Sequence, residues 1–386
     1  MNKNSSLLIS TCVVLVSILI LLTLVEASEP NISIKLTNLN VAVETPTITD
    51  NGSKIAFHAI LDEGPEIFVI NSDGSELKQI TDDKMQCIMP CISGDGSKIV
   101  FQGIIGEDLD MEVFVVNSDG SQLKQLTTQG AEGPSISDDG TKVSFGAEID
   151  SDCEVFVINS DGSGLKQLTS NSVDDCCGVI SGDGSKIVFE SFVRQYQPEI
   201  FVVNSDGSGL KQLTSNSVAD YSPSISDDGS KIAFVSKVDD AAEVFVINSD
   251  GSGLRQLTNG KFKDLVVCIS GDGSRVAFRS LVDDKCELIV VNSDGSGLFQ
   301  FETVPLLGYM PAISDDGSKI AFDASEYYDP AGIYFVNYDG SSSEPAPDFE
   351  SNNNEEYLYL VALAIGLIIV IVLGIVIIRR KNRLKI

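Results

Sequence analysis

Ser226-Asp227-Asp228-Gly229-Ser230-Lys231-Ile232-Ala233-Phe234, followed by Glu243-Val244-Phe245-Val246-Ile247-Asn248-Ser249-Asp250-Gly251, is one copy of a two-phrase unit that decides the fold. The glycine of the first phrase recurs at Gly52, Gly96, Gly140, Gly184, Gly229, Gly273 and Gly317, spaced by 44 or 45 residues. That of the second recurs at Gly74, Gly120, Gly162, Gly207, Gly251, Gly295 and Gly340. A period near 44 with four short strands per unit is the signature of a β-propeller rather than of a helical solenoid.

The third copy shows how a unit reads. Pro134 to Ser137 is the innermost strand, Thr141 to Phe145 the second, Glu154 to Asn159 the third and Leu165 to Thr169 the outer one. Val143 and Phe145 alternate with Lys142 and Ser144, a period of two that marks a buried strand face. Asp139-Gly140 and Asp161-Gly162 are hairpin turns, where glycine takes a positive φ at no steric cost and aspartate caps the turn. They lack the ligand series of a calcium loop. The seventh copy ends at Ser341-Ser342-Ser343-Glu344-Pro345 without its outer strand, while Ile34-Lys35-Leu36-Thr37 at the other end has that strand's composition and phase. The expectation is an all-β, seven-bladed propeller over Ile32 to Gly340, closed by N-terminal strand exchange, which removes exposed sheet edges.

These units resemble the WD40-like repeats of the TolB propeller family, through Ser226 to Phe234 and Glu243 to Gly251 in particular. The resemblance spans about Ile32 to Gly340. The chain departs from the family in having seven units rather than six, no N-terminal α/β domain, and apolar segments at both ends. A fold does not fix a function, so the family's role in outer-membrane assembly does not transfer with it. Peptidases with similar propellers carry an attached hydrolase domain, and pectate-type lyases resemble metal enzymes with several His ligands. The chain meets neither requirement.

Both ends read as membrane segments. Residues 1–27 have a basic start, an apolar run from Leu7 to Val25 and small residues before Ser28, the pattern of a cleaved signal peptide or an uncleaved anchor. Tyr357 to Ile378 is an uncharged run long enough to span a bilayer, followed by Arg379, Arg380, Lys381, Arg383 and Lys385. By the positive-inside rule the tail, 379–386, is cytoplasmic, which places the propeller and an acidic Ser/Pro/Asn stalk, 341–356, outside the cytoplasm of a cell membrane spanned once.

Composition narrows function. With 56 acidic against 26 basic residues and a net charge of −30, the surface does not suit nucleic acid, and one His leaves little scope for a Ser-His-Asp triad or a His-rich metal site. His58 occupies a position that varies between copies and reads as an inert outer residue. The two variable connections of each unit share one face and are rich in carboxylates. Asp174, Asp239, Asp240, Asp283 and Asp284 lie in them, and Asp175, Asp220 and Asp264 share one register that places them, exposed, at the channel mouth. Such clusters suit a basic protein partner or a cationic surface; no cofactor is called for, with calcium the one cation kept open. The seven cysteines beyond Cys12 read as buried free thiols. Asn31 and Asn51 head glycosylation sequons. The expected function is a non-catalytic, membrane-anchored propeller that presents its acidic top face for binding. The alternative is a carboxylate-dependent hydrolase or lyase acting on extracellular polysaccharide or peptide.

Overall fold

The computed structural model describes residues 34–340 apart from 38, 83–84, 107–109, 195, 239–240, 260–262, 283–284, 302–307, 309 and 325–330. The expected signal segment, stalk, membrane helix and tail all lie outside the described residues. Among the described residues no helix is long and apolar enough to cross a membrane.

The described residues form seven four-stranded antiparallel sheets. In the third, the strands are Glu132–Ile136, Lys142–Ile149, Asp152–Asn159 and Lys166–Gln167, running from the innermost strand to the outermost. The seventh is assembled from Ala312–Ile313, Lys319–Ala324, Gly332–Asn337 and, at its outer edge, Ile34–Lys35. There Ile34 faces Phe335 and Lys35 faces Tyr334. The amide of Leu36 donates to the Ile333 carbonyl at 2.7 Å, and that of Ile333 to Thr37 Oγ1 at 3.0 Å.

The second and third strands run further than the sequence pattern suggests. Residues expected to be a loose connection, Glu148 to Asp152, close instead as a hairpin through Asp150 and Ser151, at φ of 53° and 78°. Two left-handed residues in a two-residue turn match the natural twist of the flanking strands, which is why the ladder continues to the tip.

Burial also departs from simple alternation. Val143 is fully buried, and so is Ser144, whose hydroxyl donates to the Gly178 carbonyl of the next blade at 2.7 Å. Each blade is packed on both faces, so a polar residue is tolerated there once it finds a partner across the boundary. Hydrophobic cores form between blades. One joins Ala56 and Val69 to Ile99 and Phe101 of the next blade. Another joins Phe57 and Ile70 to Ala321 and Phe335 of the seventh. Within blades, paired aromatics on the second and third strands stack, as Phe101 does on Phe114 with ring centres 5.6 Å apart.

Candidate functional site

The turn after each inner strand is built the same way, with Thr49 and Asn51 in the first blade standing where the other six carry serine and aspartate. Ser93 Oγ and the Ser97 amide both donate to Asp95 Oδ1, at 2.7 and 2.8 Å, and Gly96 takes a φ of 71°. The residue before that aspartate, however, alternates around the ring: Asp50, Gly94, Asp138, Gly182, Asp227, Gly271 and Asp315. Backbone hydrogen bonds stitch these turns together at every blade boundary. Asp50 N–H donates to Gly94 O, Asp95 N–H to Asp138 O, and Asp138 N–H to Gly182 O. Asp183 N–H then donates to Asp227 O, Asp227 N–H to Gly271 O, Asp272 N–H to Asp315 O, and Asp315 N–H to Asp50 O. The belt has no open end.

The alternation lets the acids crowd inward. A Cβ added at Gly94 would lie 2.0 Å from a carboxylate oxygen of Asp50, and one at Gly182 or Gly271 would lie 1.9 Å from Asp138 or Asp227. Glycine therefore supplies the room that each preceding carboxylate occupies. One oxygen each from Asp50, Asp138 and Asp227 comes within 4.8 Å of the others. Burial first, then the charges of Asp50 and Asp315, push Asp138 up to about 7. Burial, then Asp138, Asp50 and Asp315, push Asp227 up to about 8. Burial and then Asp315 also raise Asp50.

The basic residues that open the second strands do not neutralise this cluster by direct contact. Lys98, Lys142 and Lys231 donate to the turn carbonyls of Gly140, Gly184 and Gly273 at 2.9, 2.8 and 3.0 Å, and Lys319 donates to the Asn51 carbonyl at 2.6 Å. Three converging carboxylate oxygens are the donor set of a hard divalent cation such as calcium.

The sequence placed its candidates at the opposite end of the blades, and there the outcome is mixed. Asp175 and Asp220, expected to be exposed on the rim, are 1% and 0% exposed. The reason is register. They open inner strands opposite Ser191 and Ser236, and Asn171 and Asn216 side chains donate to their Oδ2 atoms at 2.7 Å. The Asn171 amide also donates to Glu154 Oε1 at 2.8 Å, so one asparagine bridges two acids across a blade boundary. Asp264 lies in the equivalent strand opposite Ser280. Asp174 is exposed and accepts the Cys153 amide at 2.9 Å. Asp239, Asp240, Asp283, Asp284 and Asn31 lie outside the described residues. Asn51 is exposed, its Oδ1 accepting the Ser53 amide at 2.9 Å.

His58 is buried rather than on an outer surface, with Nδ1 2.8 Å from Thr45 Oγ1, and burial pushes it down to about 4. The same face carries an open cleft of about 550 Å³ lined by Asp110, Glu112, Glu132, Glu148 and Asp174.

The profile of the TolB beta propeller domain matches residues 31–191 and 131–303. No curated protein matches the chain significantly. Among solved structures, the chain is similar to an oligogalacturonate lyase in complex with manganese, with a TM-score of 0.63 at 14% identity over 79% of this chain and 93% of that one. It is also similar to the β-propeller domain of the Trilobed protease from Pyrococcus furiosus, described as having an open velcro topology (TM-score 0.58, 14% identity, 81% and 99% covered). For the putative TolB from Agrobacterium tumefaciens the values are 0.50, 17%, 78% and 92%. At such identities these likenesses speak for the fold, which is shared by enzymes and by TolB. With the family profile spanning well over half of the sequence and seven blades of the matching repeat in place, the chain belongs to the TolB β-propeller domain family.

Proposed function

We propose that the chain is a non-catalytic binding propeller held at the cell surface by its C-terminal apolar segment, with a divalent cation, calcium by its all-oxygen donor set, seated on the axial carboxylates. The observation that carries this reading is the convergence of Asp50, Asp138 and Asp227 within 4.8 Å, against glycines that make room for them. A cation there would remove the mutual repulsion that holds two of the three acids protonated near neutral pH. The acidic cleft on the opposite face supports a basic protein or cationic surface as the partner, since five carboxylates line it. Closure of the ring by the strand at Ile34–Lys35 belongs to the same reading.

Calorimetric titration with calcium is the test: one site per chain is expected in the wild type and none in an Asp138→Asn, Asp227→Asn double variant. Absence of binding to the wild type would sink the axial site. Whole-cell proteolysis tests the topology, with the propeller expected to be cut while the basic tail survives.

One observation favours the alternative, a carboxylate-dependent hydrolase or lyase on polysaccharide or peptide. Asp227 keeps its proton to about pH 8 beside other carboxyls, the pairing an acid and a base require. Release of reducing ends or peptide fragments by the wild type, abolished in Asp227→Asn, would decide for that reading.

A further inference from the structure

The notable feature outside the axial site is a pair of thiols at the acidic cleft. Cys153 stands second in the third strand of the third blade, Asp152–Asn159, and Cys176 second in the inner strand of the fourth, Asp175–Ile180. The two belong to different blades, yet two interactions join them across the boundary. The Cys153 amide donates to Asp174 Oδ1 at 2.9 Å, tying it to the residue two before Cys176. Cys153 Sγ lies over Gly146, 3.1 Å from where a Cβ at that position would stand. The Cys153 thiol is the nearest influence on that of Cys176, so the two side chains meet across the boundary.

Gly146 is what permits this. Its counterparts in the other blades are His58, Gln102, Glu190, Val235, Arg279 and Asp323, every one of which has a side chain. In the sixth blade Cys286 occupies the register of Cys153, and there the Arg279 guanidinium donates to the sulfur. In the third blade no side chain stands at that register, and the Cys153 sulfur occupies the space instead. Both cysteines are partly accessible, and Cys153 lines the cleft.

We propose that Cys153 and Cys176 form a disulfide that staples the third blade to the fourth at the wall of the cleft. The reaction is thiol–disulfide exchange with a small disulfide such as oxidised glutathione. One cysteine thiolate attacks the oxidant's S–S bond, giving a mixed disulfide and releasing one glutathione thiolate. The second attacks the mixed disulfide and releases the other. Two S–H bonds are lost, one S–S bond forms, two electrons pass to glutathione, and two protons leave the cysteines for solvent or the released thiolates.

The neighbouring Cys153 thiol and then burial hold the Cys176 proton well above the usual thiol range. A metal shell is the weaker fit. Asp174 and Glu132 stand near the pair, but among the described residues the mutual approach within 4.8 Å expected of ligand atoms is found at the axial carboxylates and not here.

Trypsin cuts after Lys142, Lys166 and Lys186, which separates Cys153 from Cys176. The full chain, purified reduced and then treated with oxidised glutathione, should lose two alkylatable thiols and yield the cross-linked peptides 143–166 and 167–186. Cys153→Ser and Cys176→Ser should each abolish the cross-link. Cys177→Ser and Cys286→Ser should leave it intact. Gly146→Val puts a side chain where the sulfur sits, in a register where Val235 shows the backbone accepts one, and should slow formation at least tenfold.

The proposal is overturned if both thiols stay alkylatable after oxidation, if Cys177→Ser rather than Cys176→Ser removes the bridge, or if Gly146→Val oxidises at the wild-type rate. It would also be overturned if zinc alone binds the reduced pair tightly and blocks oxidation. Far-ultraviolet circular dichroism of each variant shows whether the ring has folded, and the Cys177→Ser and Cys286→Ser proteins serve as folded references.

Discussion

Asp138 and Asp227 hold their protons up to about 7 and 8, well above an ordinary aspartate, and this sets how the protein responds to pH. A carboxyl whose pKa is raised by folding binds its proton more tightly in the native state than in the unfolded one. Its relative stabilisation is full below the unfolded value near 3.8 and is lost as pH rises through the folded one. The cation-free protein should therefore melt at progressively lower temperature between about pH 4 and pH 8. Asp138→Asn with Asp227→Asn should flatten that slope, as should calcium in the wild type. A wild-type melting temperature that is level across this range in chelator would contradict the assigned cluster. A second residue-scale expectation concerns Asn171, which bridges Glu154 and Asp175. Asn171→Ala removes the side-chain donor to the buried Asp175, while the backbone amide still serves Glu154, and should cost about 2 kcal/mol by chemical denaturation. The axial acids were present in the sequence as the alternating residue of the S-x-D-G turn. Each copy of that turn is complete in itself, so the sequence carries no mark of their convergence. What a turn does locally says nothing of how seven turns meet on an axis.

At the scale of the strand, the sequence was a better guide. Blade number and strand order followed from spacing, because a hairpin's register is fixed locally by its turn. Strand length and facing did not. Asp175 and Asp220 sit at a strand's first residue, where a shift of a single position decides between a solvated rim and a buried pairing with serine. The outer-strand threonines offer a direct comparison. Thr258 Oγ1 accepts the Val244 amide at 2.9 Å inside one continuous blade, and Thr37 Oγ1 accepts the Ile333 amide at 3.0 Å from the far end of the chain. Either threonine replaced by valine orphans a buried amide, which costs roughly 1–3 kcal/mol. If the N-terminal strand closes the ring in solution, Thr37→Val and Thr258→Val should lower stability to a similar degree. A neutral Thr37→Val would show that the seventh blade does without its borrowed strand.

For the whole molecule, packing between blades means that no sheet stands alone: every core described joins one blade to its neighbour. A cation that binds only the folded ring should then stabilise all of it together. At a hundredfold excess over its dissociation constant, the gain is about 2.7 kcal/mol. Limited proteolysis with and without calcium should show protection spread over all seven blades, whereas protection confined to one blade would place the ion elsewhere. The backbone belt of turns carries a last consequence, which is one of parity. Aspartate and glycine alternate strictly from Asp50 onward, but an alternating pattern cannot close on an odd ring, so Asp315 and Asp50 fall side by side. The repeating module is thus two blades rather than one, and the ring holds three such modules and an unpaired remainder. A ring of six or eight would have no such mismatch. Moving the chain ends to another blade boundary by circular permutation would relocate the termini, but the mismatch would stay where the two aspartates meet.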